Sequence, residues 1–212
     1  MMKAILFDFD GTVIDTNTLI IESYKYAFKT VMNRDVSLEE ILGLFGRPLQ
    51  ISLNEDYGEY GDELCRKFRE FNESRHDEIA KPFPGVPDGI IAIKNAGYKI
   101  GIVTSKRRTM LERGIKLIGL ENYFDVLIAT EDTERHKPDP QPVLTACERL
   151  CVAPDDALYV GDSVFDILCG KNAGMKTCGV KYTLTEPEKL FEAGMDYFVE
   201  DMWELAHSVL KI

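Results

Sequence analysis

The chain has 212 residues, 45% of them hydrophobic and 29% charged, with a formal net charge of −11 and a pI near 4.8. That acidity excludes the broad basic field that nucleic acid or an anionic membrane surface requires, and leaves a small anionic ligand held by local cations. No apolar run approaches the roughly 18 residues of a membrane-spanning helix, and the few apolar residues ahead of Asp8 are too short a run for a secretory signal. The cysteines (Cys65, Cys147, Cys151, Cys169 and Cys178) form no Cys-x-x-Cys pair and read as reduced thiols, so the expected compartment is the cytoplasm.

Ala4-Ile5-Leu6-Phe7 is an unbroken apolar run, the pattern of a short strand buried on both faces of a parallel sheet. It leads into Asp8-Phe9-Asp10-Gly11-Thr12. A strand sends side chains i and i+2 to one side, so both carboxylates are expected at one spot. There they repel, and require a cation or a shared proton. Gly11 supplies the backbone freedom to leave the sheet edge.

A helix follows, capped by Asp15 or by Thr16-Asn17, with Ile20, Tyr24, Ala27, Phe28 and Val31 on one apolar face. Ser37-Leu38-Glu39-Glu40 has capping-box spacing and opens a second helix toward Gly43 or Gly46. Phe45 to Leu49 reads as a loop, and the acidic stretch from Asn54 to Gly61 is poorly periodic. Asp62 opens a longer helix through Leu64, Cys65, Phe68 and Phe71 to about Ile79. No strand pattern appears between Asp15 and Lys81, so residues 16–81 are expected to form a separate, all-helical insert with a hinge at its two ends.

Pro82 to Pro87 is the clearest break in the chain. Beyond it helices and strands alternate. Strands are expected at Tyr98 to Thr104, Asp125 to Ala129, Ala157 to Gly161, Lys176 to Val180 and Met195 to Val199. Helices are expected at about Pro87 to Asn95, Arg107 to Ile118, Pro140 or Gln141 to Leu150 and Asp162 to Asn172, with one more at the end of the chain. This alternation implies right-handed crossovers and a mainly parallel α/β sheet covered on both faces. The first strand belongs to that sheet, so residues 1–15 and 82–212 make one domain and residues 16–81 another.

Ligands of such sheets bind at the carboxyl ends of the strands, and those ends carry chemistry here. Thr104-Ser105 offers a hydroxyl and free N–H groups at a helix start, where an anion sits. Lys137 lies between the third strand and its helix, in a stretch stiffened by Pro138 and Pro140. Asp162 ends a strand and Asp166 lies one helical turn beyond it, the oxygen-rich pattern of a hard-metal site. The run Lys106-Arg107-Arg108 adds positive charge at the start of its helix, which mildly favours an anion nearby.

These motifs, DFDGT, a strand-end Thr/Ser, Lys ahead of PDP and GDSxxD, resemble in order and spacing the haloacid dehalogenase superfamily over nearly the whole chain. The resemblance implies a Rossmann-like core with a helical cap, and an Mg²⁺-dependent phosphohydrolase working through an aspartyl phosphate. It assigns Asp8 as nucleophile and Asp10 as general acid and base. Thr104 and Lys137 become the holders of the phosphoryl oxygens. Mg²⁺ is assigned to Asp8, the Asp10 backbone carbonyl and Asp162, with Asp166 orienting them. Gly46, Arg47, Ser105 and Lys106 become candidates for substrate contact, with the Gly46-Arg47-Pro48 loop expected to face Asp8 and its arginine to project. Arg75, His76 and Lys81 are further positions on the cap side, whereas His136 and His207 read as surface residues.

Within the superfamily, Asp10 favours phosphoryl transfer over dehalogenation. IDTNTLIIESY, RHDE, GIKLIGL, KPDPQPVL and GKNAG resemble the bacterial pyrophosphatase branch, which shares its plan with the phosphoglycolate phosphatases. Inorganic pyrophosphate is therefore the first expected substrate, phosphoglycolate or a sugar phosphate the second. A receiver-type signalling protein or a catalytically silent phosphate binder ranks far lower. The partner expected is a small phosphorylated molecule, with no nucleic acid and no membrane, and the chain is expected as a monomer or weak dimer.

Overall fold

The computed structural model describes residues 2–212. Strand β1 (Ala4–Phe7) lies inside a six-stranded sheet of order β5-β4-β1-β6-β7-β8. The other strands are β4 (Lys99–Val103), β5 (Val126–Ile128), β6 (Ala157–Gly161), β7 (Lys176–Val180) and β8 (Tyr197–Val199). Every pairing in this sheet is parallel. The period of two along β1 explains its unbroken apolar run. Ile5 and Phe7 enter one core layer, Ala4 and Leu6 the other, and all four are fully buried.

Helices cover both faces, as consecutive parallel strands require. Helices α5 (Val86–Asn95) and α6 (Arg108–Leu117) send Ile90, Ile93, Leu111 and Ile115 into the first layer. Met202, Leu205 and Leu210, from the helical segment that ends the chain, join them. Helices α7 (Gln141–Leu150) and α8 (Val164–Asn172) supply Val143, Cys147, Leu150 and Cys169 to the second layer.

Residues between β1 and β4 build a third cluster. Helices α1 (Asn17–Met32), α2 (Leu38–Leu42), α3 (Leu49–Tyr57) and α4 (Gly61–Ile79) enclose Tyr24, Phe28, Ile41, Leu53, Leu64 and Phe68. The chain enters and leaves this unit through two short antiparallel strands, β2 (Ile14–Asp15) and β3 (Lys81–Pro82), paired Ile14 to Pro82 and Asp15 to Lys81.

Three features differ from the sequence reading. The β2–β3 ribbon has two residues per strand, too few to show any periodicity. Leu49–Tyr57 is helical where a loop and an irregular acidic stretch were expected. That helix turns Ser52 and Leu53 inward while Ile51 stays 41% exposed, so packing against α4 decides its conformation rather than a clean apolar stripe. A short helix α9 (Pro187–Glu192) also went unforeseen, because it buries Leu190 alone.

Leu53 is the test of the unforeseen helix. Leu53→Ala is expected to cost about 2–5 kcal/mol, as for other buried leucines, read as a lower midpoint in denaturant. An unaffected midpoint would show that α3 does not pack as described.

Candidate active site

Three adjacent strand ends make the site. Asp8 follows β1, Thr104 follows β4 and Asp162 follows β6, and these three residues line one cavity of about 330 Å³ together with Asp10 and Lys137. The chain leaves β1 through a tight turn in which the Phe9 carbonyl accepts from the N–H groups of Val13 (2.9 Å) and Ile14 (3.0 Å). Gly11 sits in that turn at φ +80°, and a Cβ there would lie 2.4 Å from Oδ2 of Asp162. Glycine is therefore required twice over, for the backbone conformation and for the approach of two strand ends.

Lys137 is the centre of the buried cluster. Its Nζ donates to Oδ1 of Asp8 and to Oδ1 of Asp166, each at 2.6 Å. Asp166 is held on every side. The Tyr159 hydroxyl lies 3.0 Å from its Oδ1, and Ser163 donates to its Oδ2 from Oγ (2.6 Å) and from N–H (3.1 Å). Asp166 thus has both oxygens engaged and works by orienting Lys137. Asp8 accepts only at Oδ1, and Asp162 only from the Thr12 hydroxyl at 3.4 Å. Each keeps one oxygen without a hydrogen bond among the described residues.

The two carboxylates of the first motif are partnered separately. The strand ends at Phe7, so Asp8 stands just beyond it and Asp10 in the turn, rather than both on one strand face. Its oxygens accept from Nζ of Lys106 at 2.7 and 3.0 Å, and Oδ1 also accepts from the Thr16 hydroxyl at 2.7 Å. Neither Thr16 nor Tyr159 was read as a site residue from the sequence. A threonine ahead of a helix reads as an ordinary cap, and a tyrosine inside an apolar strand reads as core.

The inserted helices roof the cavity. The Ser105 hydroxyl donates to the Gly46 carbonyl at 3.0 Å, and Gly46, at φ +78°, packs so closely on Ser163 that a Cβ would lie 2.8 Å from its Oγ. Two further ties join α4 to the α6 region. Arg107 pairs with Glu73, and Arg113 donates to Asp77 and to the Glu73 carbonyl, both at 2.9 Å. Arg47 borders the cavity but does not project toward Asp8. Its guanidinium is taken by Asp56 (2.6 Å) and Glu55 (3.0 Å) on α3, the helix the sequence did not reveal. Arg75 pairs with Glu78, and Lys81 stands in β3. His76 is fully buried with Nδ1 on Asp77, and burial holds its pKa below the usual histidine range.

The electrostatics are unbalanced. Asp8, Asp162 and Asp166 bring one oxygen each within 4.8 Å of the others, and all three are buried around one ammonium. Burial pushes the Asp8 carboxyl up to about 7 despite Lys137 beside it. Burial, then the Asp166 and Asp8 charges, drives Asp162 well above the carboxylate range. Burial opposes the charge on Lys137, yet Asp166 and Asp8 hold its pKa above the ordinary lysine value. A hard divalent cation taking the free oxygens of Asp8 and Asp162 is the species that this donor set fits. The side chain of Asp10 is outside that set.

The family model described as haloacid dehalogenase-like hydrolase matches residues 5–180. A Clostridium perfringens protein provisionally named pyrophosphatase PpaX is 49% identical over 100% of this chain and 99% of its own length. The pyrophosphatase PpaX of Bacillus velezensis is 40% identical over 97% of this chain and 95% of its own. The crystal structure of a predicted phosphatase from Clostridium acetobutylicum superposes with a TM-score of 0.88 at 25% identity, covering 100% of both chains.

The charge imbalance has a measurable consequence. The folded Asp8 carboxyl titrates at about 7, above its unfolded value, so its contribution to stability is complete below about pH 4 and is lost as pH rises through 7. Asp8→Asn removes that loss. In EDTA, the melting temperature of Asp8→Asn minus that of the parent should widen by several degrees between pH 4 and pH 8, and Mg²⁺ at pH 8 should narrow it. A gap independent of both pH and Mg²⁺ would contradict the description.

Proposed function

The chain belongs to the haloacid dehalogenase-like hydrolase family, and from that premise we propose that it is an Mg²⁺-dependent phosphohydrolase acting through Asp8 on inorganic pyrophosphate. The observation that carries this reading is the division of labour between Asp8 and Asp10. One carboxylate is steadied by Lys137 with an oxygen left open at the cavity, and the other is held apart by Lys106 and Thr16. A nucleophile and a separate proton carrier are what covalent phosphoryl transfer requires.

In this mechanism the Asp8 carboxylate attacks phosphorus and the bond to the leaving oxygen breaks. Asp10 delivers a proton to that oxygen. It then takes one from the water that releases phosphate from Asp8. Lys137 and the Thr104 hydroxyl hold the phosphoryl oxygens as charge spreads over them. Lys106, seated on Asp10, puts its charge beside the leaving oxygen, and Ser105 keeps the Gly46 loop down. Asp8, Asp162 and the Asp10 carbonyl would hold Mg²⁺, which would supply positive charge against the phosphoryl oxygens. Asp166 orients Lys137. Residues 16–81 act as the cap that excludes water, hinged at the β2–β3 ribbon around a core of residues 1–15 and 82–212. The full-length likeness to the two proteins named pyrophosphatase supports pyrophosphate over phosphoglycolate and sugar phosphates. Among the described residues no helix is long and apolar enough to cross a membrane; the compartment proposed is the cytoplasm and the assembly a monomer or weak dimer.

Phosphate release tests each role. With Mg²⁺ the protein should hydrolyse pyrophosphate faster than phosphoglycolate or hexose phosphates, and EDTA should stop it. Asp8→Asn should abolish turnover while the fold persists, and Asp10→Asn should slow it on the order of 10²–10⁴-fold with Mg²⁺ affinity little changed. Asp162→Asn should weaken Mg²⁺ binding instead. Full activity in Asp8→Asn would end the aspartyl-phosphate reading, and a preference for phosphoglycolate would replace the substrate.

A further inference from the structure

Five cationic side chains line the cavity: Arg47, Arg69, Lys106, Arg107 and Lys137. Four are neutralised within the protein. Arg47 is held by Asp56 and Glu55, Lys106 by Asp10, Arg107 by Glu73, and Lys137 by Asp8 and Asp166. Arg69, on α4, has neither ion pair nor hydrogen bond among the described residues, and its Nε is buried without a partner. The acids nearest to it along the helix are committed elsewhere, Glu70 to Lys67 and Glu73 to Arg107.

A buried, charged donor without an acceptor is costly to keep. At the wall of a cavity that ends on Asp8, the missing acceptor is most simply a ligand anion. The phosphoryl group under attack has Lys137 and Thr104 on the core side. Arg69 reaches the cavity from the cap side, where the leaving group must lie. An arginine presents a planar fork suited to two oxygens of one phosphate or carboxylate. We propose that Arg69 is a specificity-determining residue that takes the second anionic group of the substrate, so that the class preferred is a phosphoanhydride or phosphoester whose leaving group carries its own negative charge. The inference rests on the phosphohydrolase reading above and sharpens it, moving the arginine contact with substrate from Arg47 to Arg69.

Arg69→Met keeps the bulk of the side chain and removes the donor. With Mg²⁺, its kcat/KM for pyrophosphate should fall on the order of 10- to 100-fold, mostly through KM, as for loss of a charged hydrogen bond. p-Nitrophenyl phosphate, which has no second anion, should be hydrolysed nearly as before. Arg69→Lys should recover part of the loss. The melting temperature of Arg69→Met without ligand should not drop, since no internal bond is broken. Calorimetric titration separates this inference from the catalytic reading. Methylenediphosphonate should bind the parent more tightly than inorganic phosphate does, and Arg69→Met should erase that advantage. A parent protein that binds the diphosphonate through Arg69 but hydrolyses nothing would retire the catalytic reading and keep the subsite. A parent that prefers phosphoglycolate, with the same dependence on Arg69, would change the substrate and keep the subsite. Equal losses on pyrophosphate and p-nitrophenyl phosphate, or an unchanged diphosphonate advantage, would overturn it.

Discussion

Everything in this molecule converges on an excess of negative charge in a dry place. Three carboxylates, from the ends of β1 and β6 and the first turn of α8, crowd around one buried lysine. Such a group is stable only while each member is oriented, and the surrounding structure is spent on that. Tyr159 and Ser163 fix Asp166, Asp166 fixes Lys137, and Lys137 fixes one oxygen of Asp8. What remains unsatisfied is the open side of Asp8 and Asp162, facing the cavity. The parallel sheet makes this possible, because its strands all end at the same edge, with β1 flanked by β4 and β6.

The same constraint explains why the two aspartates of the first motif are partnered differently. On one strand face they would have shared a charge environment. The turn after Phe7 instead carries Asp10 away to Lys106 and Thr16, so its charge is balanced without drawing on Lys137. Gly11 is the residue that permits this turn beside Asp162. The inserted helices then complete the enclosure, with polar ties from Ser105 to Gly46, Arg107 to Glu73 and Arg113 to Asp77. Ion pairs of this kind, partly open to solvent, hold elements in register without the strength of an apolar interface. They suit the cap movement proposed above.

The sequence by itself determined the parts that depend on local pattern. An unbroken apolar run specifies a doubly covered strand, as at Ala4 to Phe7, and the alternation from Pro82 onward specifies a parallel sheet with helices on both sides. It also pointed to the residues that the fold gathers, since Asp8, Asp10, Thr104, Lys137, Asp162 and Asp166 stand between strands and the helices that follow them, and strand ends are where such a sheet binds ligands. Only the tertiary structure decided the pairings. Which lysine holds which aspartate depends on side chains 96 and 129 positions apart, and no periodicity encodes that. Helix α3 formed from a weakly patterned stretch because α4 offered a surface to pack on, and its Glu55 and Asp56 then claimed Arg47. Arg69 stood out for the opposite reason. Inside a helix rich in charge it looks like any solvated residue, and only the folded cavity shows that its neighbours are already paired and that it is not.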